Sequence, residues 1–133
     1  MSTFAFNLAY EDDIIIVNAT IEGIYKFRLA LDTAATHTTI DSNMLFFAGY
    51  QLKNSIGEKE VETSNGIIIV ELYSVRQLEC LGIIHNDFEV QVYDFLSHGI
   101  SSEYDGVVGL NFFRNEKLCI DFFNNEVSVH PKL

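Results

Sequence analysis

The sequence predicts an all-β fold, a barrel or sandwich of short strands with one or two short helices. Three observations carry this. Apolar and polar residues alternate at period two along much of the chain, the mark of half-buried strands. Ser64-Asn65-Gly66 lies between two β-branched runs and reads as a tight hairpin turn. Only two stretches, after Asp41 and around Asn111, carry helix signals, and both are short.

Taken in order, residues 13–24 read as strand, turn and strand: Ile14-Ile15-Ile16-Val17, then Ala19-Thr20-Ile21-Glu22 with Gly23 as punctuation. Residues 25–31 continue as a strand into Asp32, and residues 37–40 form another short one. Asp41-Ser42-Asn43 offers capping side chains to a helix over residues 44–48, and Gly49 stops it. From Ile56 the pattern is β again, with residues 60–63 and 67–72 flanking the hairpin turn. Residues 73–81 and 88–93 alternate as further strands, joined by a turn near His85-Asn86-Asp87. Residues 100–105 form a polar loop, Gly106-Val107-Val108-Gly109-Leu110 is apolar, and Asn111-Phe112-Phe113-Arg114 is a second helical turn. The pattern closes with residues 118–123, the turn Asn124-Asn125, and residues 126–130.

Composition bounds the function. The 133 residues are one domain's worth, 1–133, and 48% hydrophobic content supplies a core. A net charge of −11 argues against nucleic acid, because neutralising phosphates takes Lys and Arg. The first residues lack a basic, then apolar, leader pattern, and no apolar run approaches the ~20 residues needed to span a bilayer. No membrane partner and a reducing, cytoplasmic setting are expected. Cys80 and Cys119 read as small residues on strands, and the dispersed His37, His85, His98 and His130 make no zinc pattern, so neither metal nor organic cofactor is expected.

The chemistry concentrates at Asp32. It ends the alternating run Phe27-Arg28-Leu29-Ala30-Leu31 and is followed by the small residues Thr33, Ala34 and Ala35. A carboxylate at the tip of an apolar strand is costly to bury unless its charge is used or satisfied. Small neighbours leave room for a ligand to approach it. On local sequence alone, an ordinary turn carboxylate is the better explanation of Asp32, since Asp is common at strand ends.

Order decides further. Asp32-Thr33-Ala34, the Thr63-Ser64-Asn65-Gly66 hairpin, and Val107-Val108-Gly109 with Leu110-Asn111-Phe112-Phe113 and the terminal hairpin follow one another. This arrangement resembles the retropepsin-like aspartic proteases, single-domain homodimeric relatives of pepsin, over most of the chain. The resemblance implies a closed β-barrel, no cofactor, and a homodimer in which each Asp32 supplies half of a catalytic pair. Two carboxylates sharing one proton around a water would hydrolyse a peptide or protein substrate. Thr33 would bond across the dimer axis, and Ala34 stands where the family has Gly, whose backbone approaches carboxylate and substrate. Ala35, also on the substrate side, lacks the hydroxyl that pepsin-like chains place beside the carboxylate, which implies a mildly acidic to near-neutral optimum. Asn65 and Gly66 would form the tip of a substrate-covering flap. Val107, Val108 and Gly109 would support the catalytic loop, and residues 127–130 would enter an inter-subunit sheet.

Other readings stand beside this one. Thr36 reads as a loop hydrogen-bonder. Asp105 and Asp121 lack the Asp-Thr context and read as turn or edge residues. Phe46-Phe47, Phe112-Phe113 and Phe122-Phe123 read as core and interface packing, and Glu58, Glu60 and Glu62 as a solvated face. The alternative function is a catalytically silent module of the same fold, used for dimerisation or for holding an extended peptide by strand addition.

Overall fold

The computed structural model of the protein describes residues 2–9, 13–100 and 103–130. Its elements begin with β1 (Ser2–Ala5), β2 (Ile16–Ile21), β3 (Tyr25–Leu31), β4 (Thr39–Asp41) and the helix α1 (Ser42–Phe47). The long middle section holds β5 (Gly57–Thr63), β6 (Gly66–Cys80) and β7 (Ile83–Tyr93). β8 (Gly106–Val108), α2 (Leu110–Phe113), β9 (Lys117–Asp121) and β10 (Glu126–His130) follow.

Six strands close into a barrel. β2, β3, β8, β4, β7 and β6 pair in that order, and β6 returns to β2 through Ala19–Cys80, Thr20–Glu79 and Ile21–Leu78. Closure leaves no open edge within this ring. β5 lies outside it, as the outer arm of the β5–β6 hairpin. β1, β10 and β9 form a second, antiparallel sheet in that order. The expected all-β closed barrel with two short helices is therefore the fold.

Alternation explains the core. Val17, Ala19 and Ile21 of β2 are buried while Asn18 between them is exposed. Leu29, Ile40, Tyr73, Val75, Leu78, Val108 and Phe112 are fully enclosed inside the same cluster. Each aliphatic or aromatic side chain of this kind contributes about 1.5–3 kcal/mol on burial. α1 is capped as its sequence predicts: Asp41 accepts from the Asn43 N–H at 3.4 Å, and Gly49, at φ 96°, ends the turn.

Several local expectations are corrected. There is no turn within residues 13–24 before Glu22, because Asn18 is an outward-facing strand residue. β6 is one 15-residue strand without a break at Tyr73. The turn expected at His85-Asn86-Asp87 lies instead at Leu81-Gly82, both at positive φ (53° and 76°), as a two-residue hairpin loop requires. At the β5–β6 tip the loop residues are Ser64 and Asn65, and only Gly66 takes positive φ, at 112°. Of the phenylalanine pairs, Phe112–Phe113 joins the core, whereas Phe47, Phe122 and Phe123 are exposed, Phe123 to 95%.

β10 is the middle strand of the smaller sheet, with β1 and β9 of the same chain on its two sides. Among the described residues no helix is long and apolar enough to cross a membrane.

Candidate active site

Two barrel strands bring the chain to Asp32. β3 runs parallel to β8 through Ala30–Val107 and Leu31–Val108, and the Asp32 N–H donates to the Val108 carbonyl at 3.1 Å. Val108 is fully buried, so the end of β3 is pinned to the core just where the acidic residue leaves it. Val107 and Val108 thus sit beside the loop that Asp32 begins.

The loop then turns tightly on its own carboxylate. The Ala34 N–H donates to Asp32 Oδ1 at 2.9 Å, and the Ala35 N–H donates to the Asp32 carbonyl at 3.2 Å. Thr33 and Ala34 are exposed at the tip, with Asp32 and Ala35 half-buried behind them. Ala34 is not among the residues at positive φ, so at this position an alanine meets no backbone penalty and keeps the N–H that holds the carboxylate. The Thr36 hydroxyl pairs with His37 Nδ1 at 2.9 Å, a loop contact as expected.

Beneath the loop lies a support that sequence reading found only in part. Thr38 is fully buried. Its Oγ1 donates to Asn111 Oδ1 at 2.8 Å and accepts from the Gly109 N–H at 3.2 Å. The Leu110 N–H donates to the Ala35 carbonyl at 2.8 Å, the Asn111 N–H to the Thr36 carbonyl at 3.2 Å, and the Gln91 N–H to the Thr38 carbonyl at 2.9 Å. Gly109 packs so closely that a Cβ there would stand 2.5 Å from the His37 carbonyl oxygen and 2.7 Å from that of Ala35. Only glycine fits, and Gly109 is where the sequence placed loop support. Thr38 and Gln91 carry no signal of this role in the sequence, because polar residues within strand runs read as solvent-facing, and Asn111 reads only as part of a short helical turn.

A cleft of about 400 Å³ opens beside the loop. Residues 34–37 and Thr39 form one wall, residues 59–62 of β5 the other, and Gln91 lies between. Ala34 and Ala35 therefore border this open space. Asn65 and Gly66 are at the hairpin tip, beyond the residues that line this cleft. A peptide seated there would lie between the Asp32 loop and the β5–β6 hairpin.

The two other candidate acids, Asp105 and Asp121, are occupied elsewhere. Asp105 is tied to β3, its N–H donating to the Arg28 carbonyl at 2.8 Å and its Oδ2 accepting from the Arg28 N–H at 3.2 Å. Asp121 closes the β9–β10 turn. The Asn124 N–H (3.0 Å), the Asn124 side-chain amide (2.8 Å) and the Phe123 N–H (2.9 Å) hold its carboxyl below the usual carboxylate range. Both serve turns or edges, as their sequence context implied. Cys80 is buried on β6, and burial, with Glu79 adding to it, pushes its thiol up to about 12, which rules out a thiolate nucleophile at neutral pH. Cys119 is half-buried on β9. Among the described residues no three His, Cys, Asp or Glu side chains group as metal ligands.

Comparison with known proteins gives this geometry its context. Residues 17–112 match the family described as aspartyl protease. No curated protein matches the sequence. Among solved structures, the chain is similar to a retropepsin-like aspartic protease from Rickettsia conorii, with a TM-score of 0.68. That likeness covers 94% of this chain and 86% of the other at 16% sequence identity, so it speaks to the fold. The barrel is of the retropepsin-like kind, and the chain belongs to the aspartyl protease family.

Proposed function

We propose that this member of the aspartyl protease family is a single-domain, homodimeric aspartic endopeptidase whose catalytic pair is Asp32 from each of two copies. The observation that carries the reading is the presentation of Asp32. A half-buried carboxylate, oriented by the Ala34 N–H, sits in a glycine-backed loop beside an open cleft. The other two candidate acids are committed to turns and edges. One chain therefore offers one suitable carboxylate, and hydrolysis by the aspartic-type mechanism needs two. A two-fold axis through the loop supplies the second at no cost in new sequence.

In such a dimer the two carboxylates share one proton, because both cannot ionise cheaply at contact distance. The ionised member takes a proton from the water between them, and the protonated member donates to the scissile carbonyl. The water oxygen adds to the carbonyl carbon, and proton return to the amide nitrogen releases the two product chains. Thr33, exposed at the loop tip, would bond to its counterpart across the axis. Asn65 and Gly66 would move over the bound peptide as a flap, Ala35 would border it, and Val107, Val108 and Gly109 would hold the loop from behind. In the smaller sheet β10 is paired on both sides, which leaves β1 and β9 as the edges available to a second copy. A cytoplasmic setting belongs to the same proposal and rests on the two free cysteines.

The test is the assembly. Sedimentation velocity with a crystal structure of the purified chain should reveal a dimer whose two Asp32 carboxylates contact one water. A monomer at concentrations that support cleavage, or a dimer holding the two carboxylates far apart, would overturn the mechanism. Peptide binding without cleavage by a correctly formed dimer would favour a silent peptide-holding module.

A further inference from the structure

The cleft beside Asp32 has a polar floor where barrel geometry would allow an apolar one. Thr39 of β4 pairs with Val107 of β8 on one side and Gln91 of β7 on the other, and Gln91 pairs in turn with Leu72 of β6. Side chains alternate along strands. Ile40, Val90 and Val92 enter the core, so Thr39 and Gln91 face the opposite way, into the cleft they line. Gln91 is nevertheless only 6% exposed. Its one side-chain contact among the described residues is long: Thr39 Oγ1 donates to Oε1 at 3.4 Å.

The Gln91 carboxamide thus offers two donors and a further lone pair to whatever occupies the cleft. We propose that, within the peptidase reading above, Gln91 with Thr39 is a specificity determinant that selects asparagine or glutamine in the peptide, near the bond to be cut. A neutral carboxamide offers a donor and an acceptor side by side and pairs with Gln91 in the same sense. An aliphatic side chain strands the Gln91 amide, the situation in which a polar site discriminates most strongly. A carboxylate meets Glu60 and Glu62 on the β5 wall. An ammonium finds on the floor one amide oxygen that already receives Thr39 and is drawn instead to the exposed Glu60 and Glu62, so Lys is the competitor that the peptide panel must separate from the carboxamides.

The experiment uses one panel of peptides that vary a single position at a time, on both sides of the cleaved bond, among Asn, Gln, Leu, Asp and Lys. Expected is one position at which the carboxamides exceed Leu in kcat/KM by about tenfold to a hundredfold. In Gln91→Leu that preference should reverse toward Leu. The inference is overturned if cleavage occurs with no carboxamide preference beyond about twofold, which lies below the range of one hydrogen bond. It is equally overturned if the preference survives in a folded Gln91→Leu protein. Should that variant fail to fold, the wild-type profile decides alone. If no peptide is cleaved, the peptidase reading has failed separately, and fluorescence anisotropy with the same panel decides. Tighter binding of Asn or Gln peptides supports the inference, and equal affinities or no binding overturn it.

Discussion

The Thr38 hydroxyl donates to Asn111 Oδ1 at 2.8 Å across 73 residues of sequence and accepts from the neighbouring Gly109 N–H. This one buried oxygen joins the loop that carries Asp32 to the segment that leads into α2. Thr38→Val keeps the shape and removes the hydroxyl, leaving two buried groups without their partner. Chemical unfolding should register a loss of about 1–3 kcal/mol. Peptide cleavage should fall about tenfold or more as the loop loses its position. Thr38→Ser should restore both, and a silent Thr38→Val would show that the bridge does not position the loop.

Gly109 admits no side chain, because the carbonyl oxygens of His37 and Ala35 occupy the space. Those are backbone atoms and cannot rotate aside. Gly109→Ala should cost about 1–3 kcal/mol in denaturant unfolding through forced displacement of the loop. It should also reduce cleavage more than its stability loss explains, when assayed well below the melting midpoint.

Asp32→Asn separates chemistry from fold. Asn retains an oxygen that accepts from the Ala34 N–H, so the thermal midpoint and the oligomeric state should be unchanged. General acid–base transfer is removed, and cleavage should drop by about 10²–10⁴-fold or beyond detection. Undiminished hydrolysis by Asp32→Asn protein would sink the catalytic assignment.

Asp121 gives a pH signature independent of activity. Hydrogen bonds from Asn124 and Phe123 lower its folded-state pKa below the unfolded value. The carboxylate therefore contributes stability that is fully present above the unfolded pKa, about 3.9. That contribution is lost as pH falls through the lower folded value. Asp121→Asn should lower the melting temperature at pH 7, and the gap should close as pH falls below the folded-state value. A gap that persists in acid would place the stabilisation in shape, not charge.

The parts of this fold that were legible in sequence are those where local chemistry and tertiary demand agree. Asp41 caps α1, Gly66 supplies the positive φ of the β5–β6 turn, and Asn124 and Asn125 mark the β9–β10 turn. Misreadings arose where they conflict. Leu81 accepts a left-handed φ of 53° because the β6–β7 twist requires it, although nothing in a leucine announces a turn. His85 and Asn86 look like turn residues but continue β7, where the His85 ring packs on Phe88 and Phe112 and Nε2 reaches the Phe112 carbonyl at 2.8 Å. The same asymmetry governs the site. Asp32 and Gly109 stood out by type and position, whereas Thr38, Asn111 and Gln91 acquire their roles only when distant strands meet.

β6 belongs to two structures at once. Its first residues pair only with β5, residues 71 and 72 pair with both β5 and β7, and residues 78–80 pair with both β2 and β7. Length variation is therefore tolerated very unequally along one strand. Extra residues between Ser64 and Asn65 lengthen an exposed tip and stay local. A single residue inserted between 72 and 78 would turn every later inward side chain of β6 outward before the barrel closes. Descendants of this chain can remodel the reach of the hairpin freely, while the stem from which it grows is held to one length.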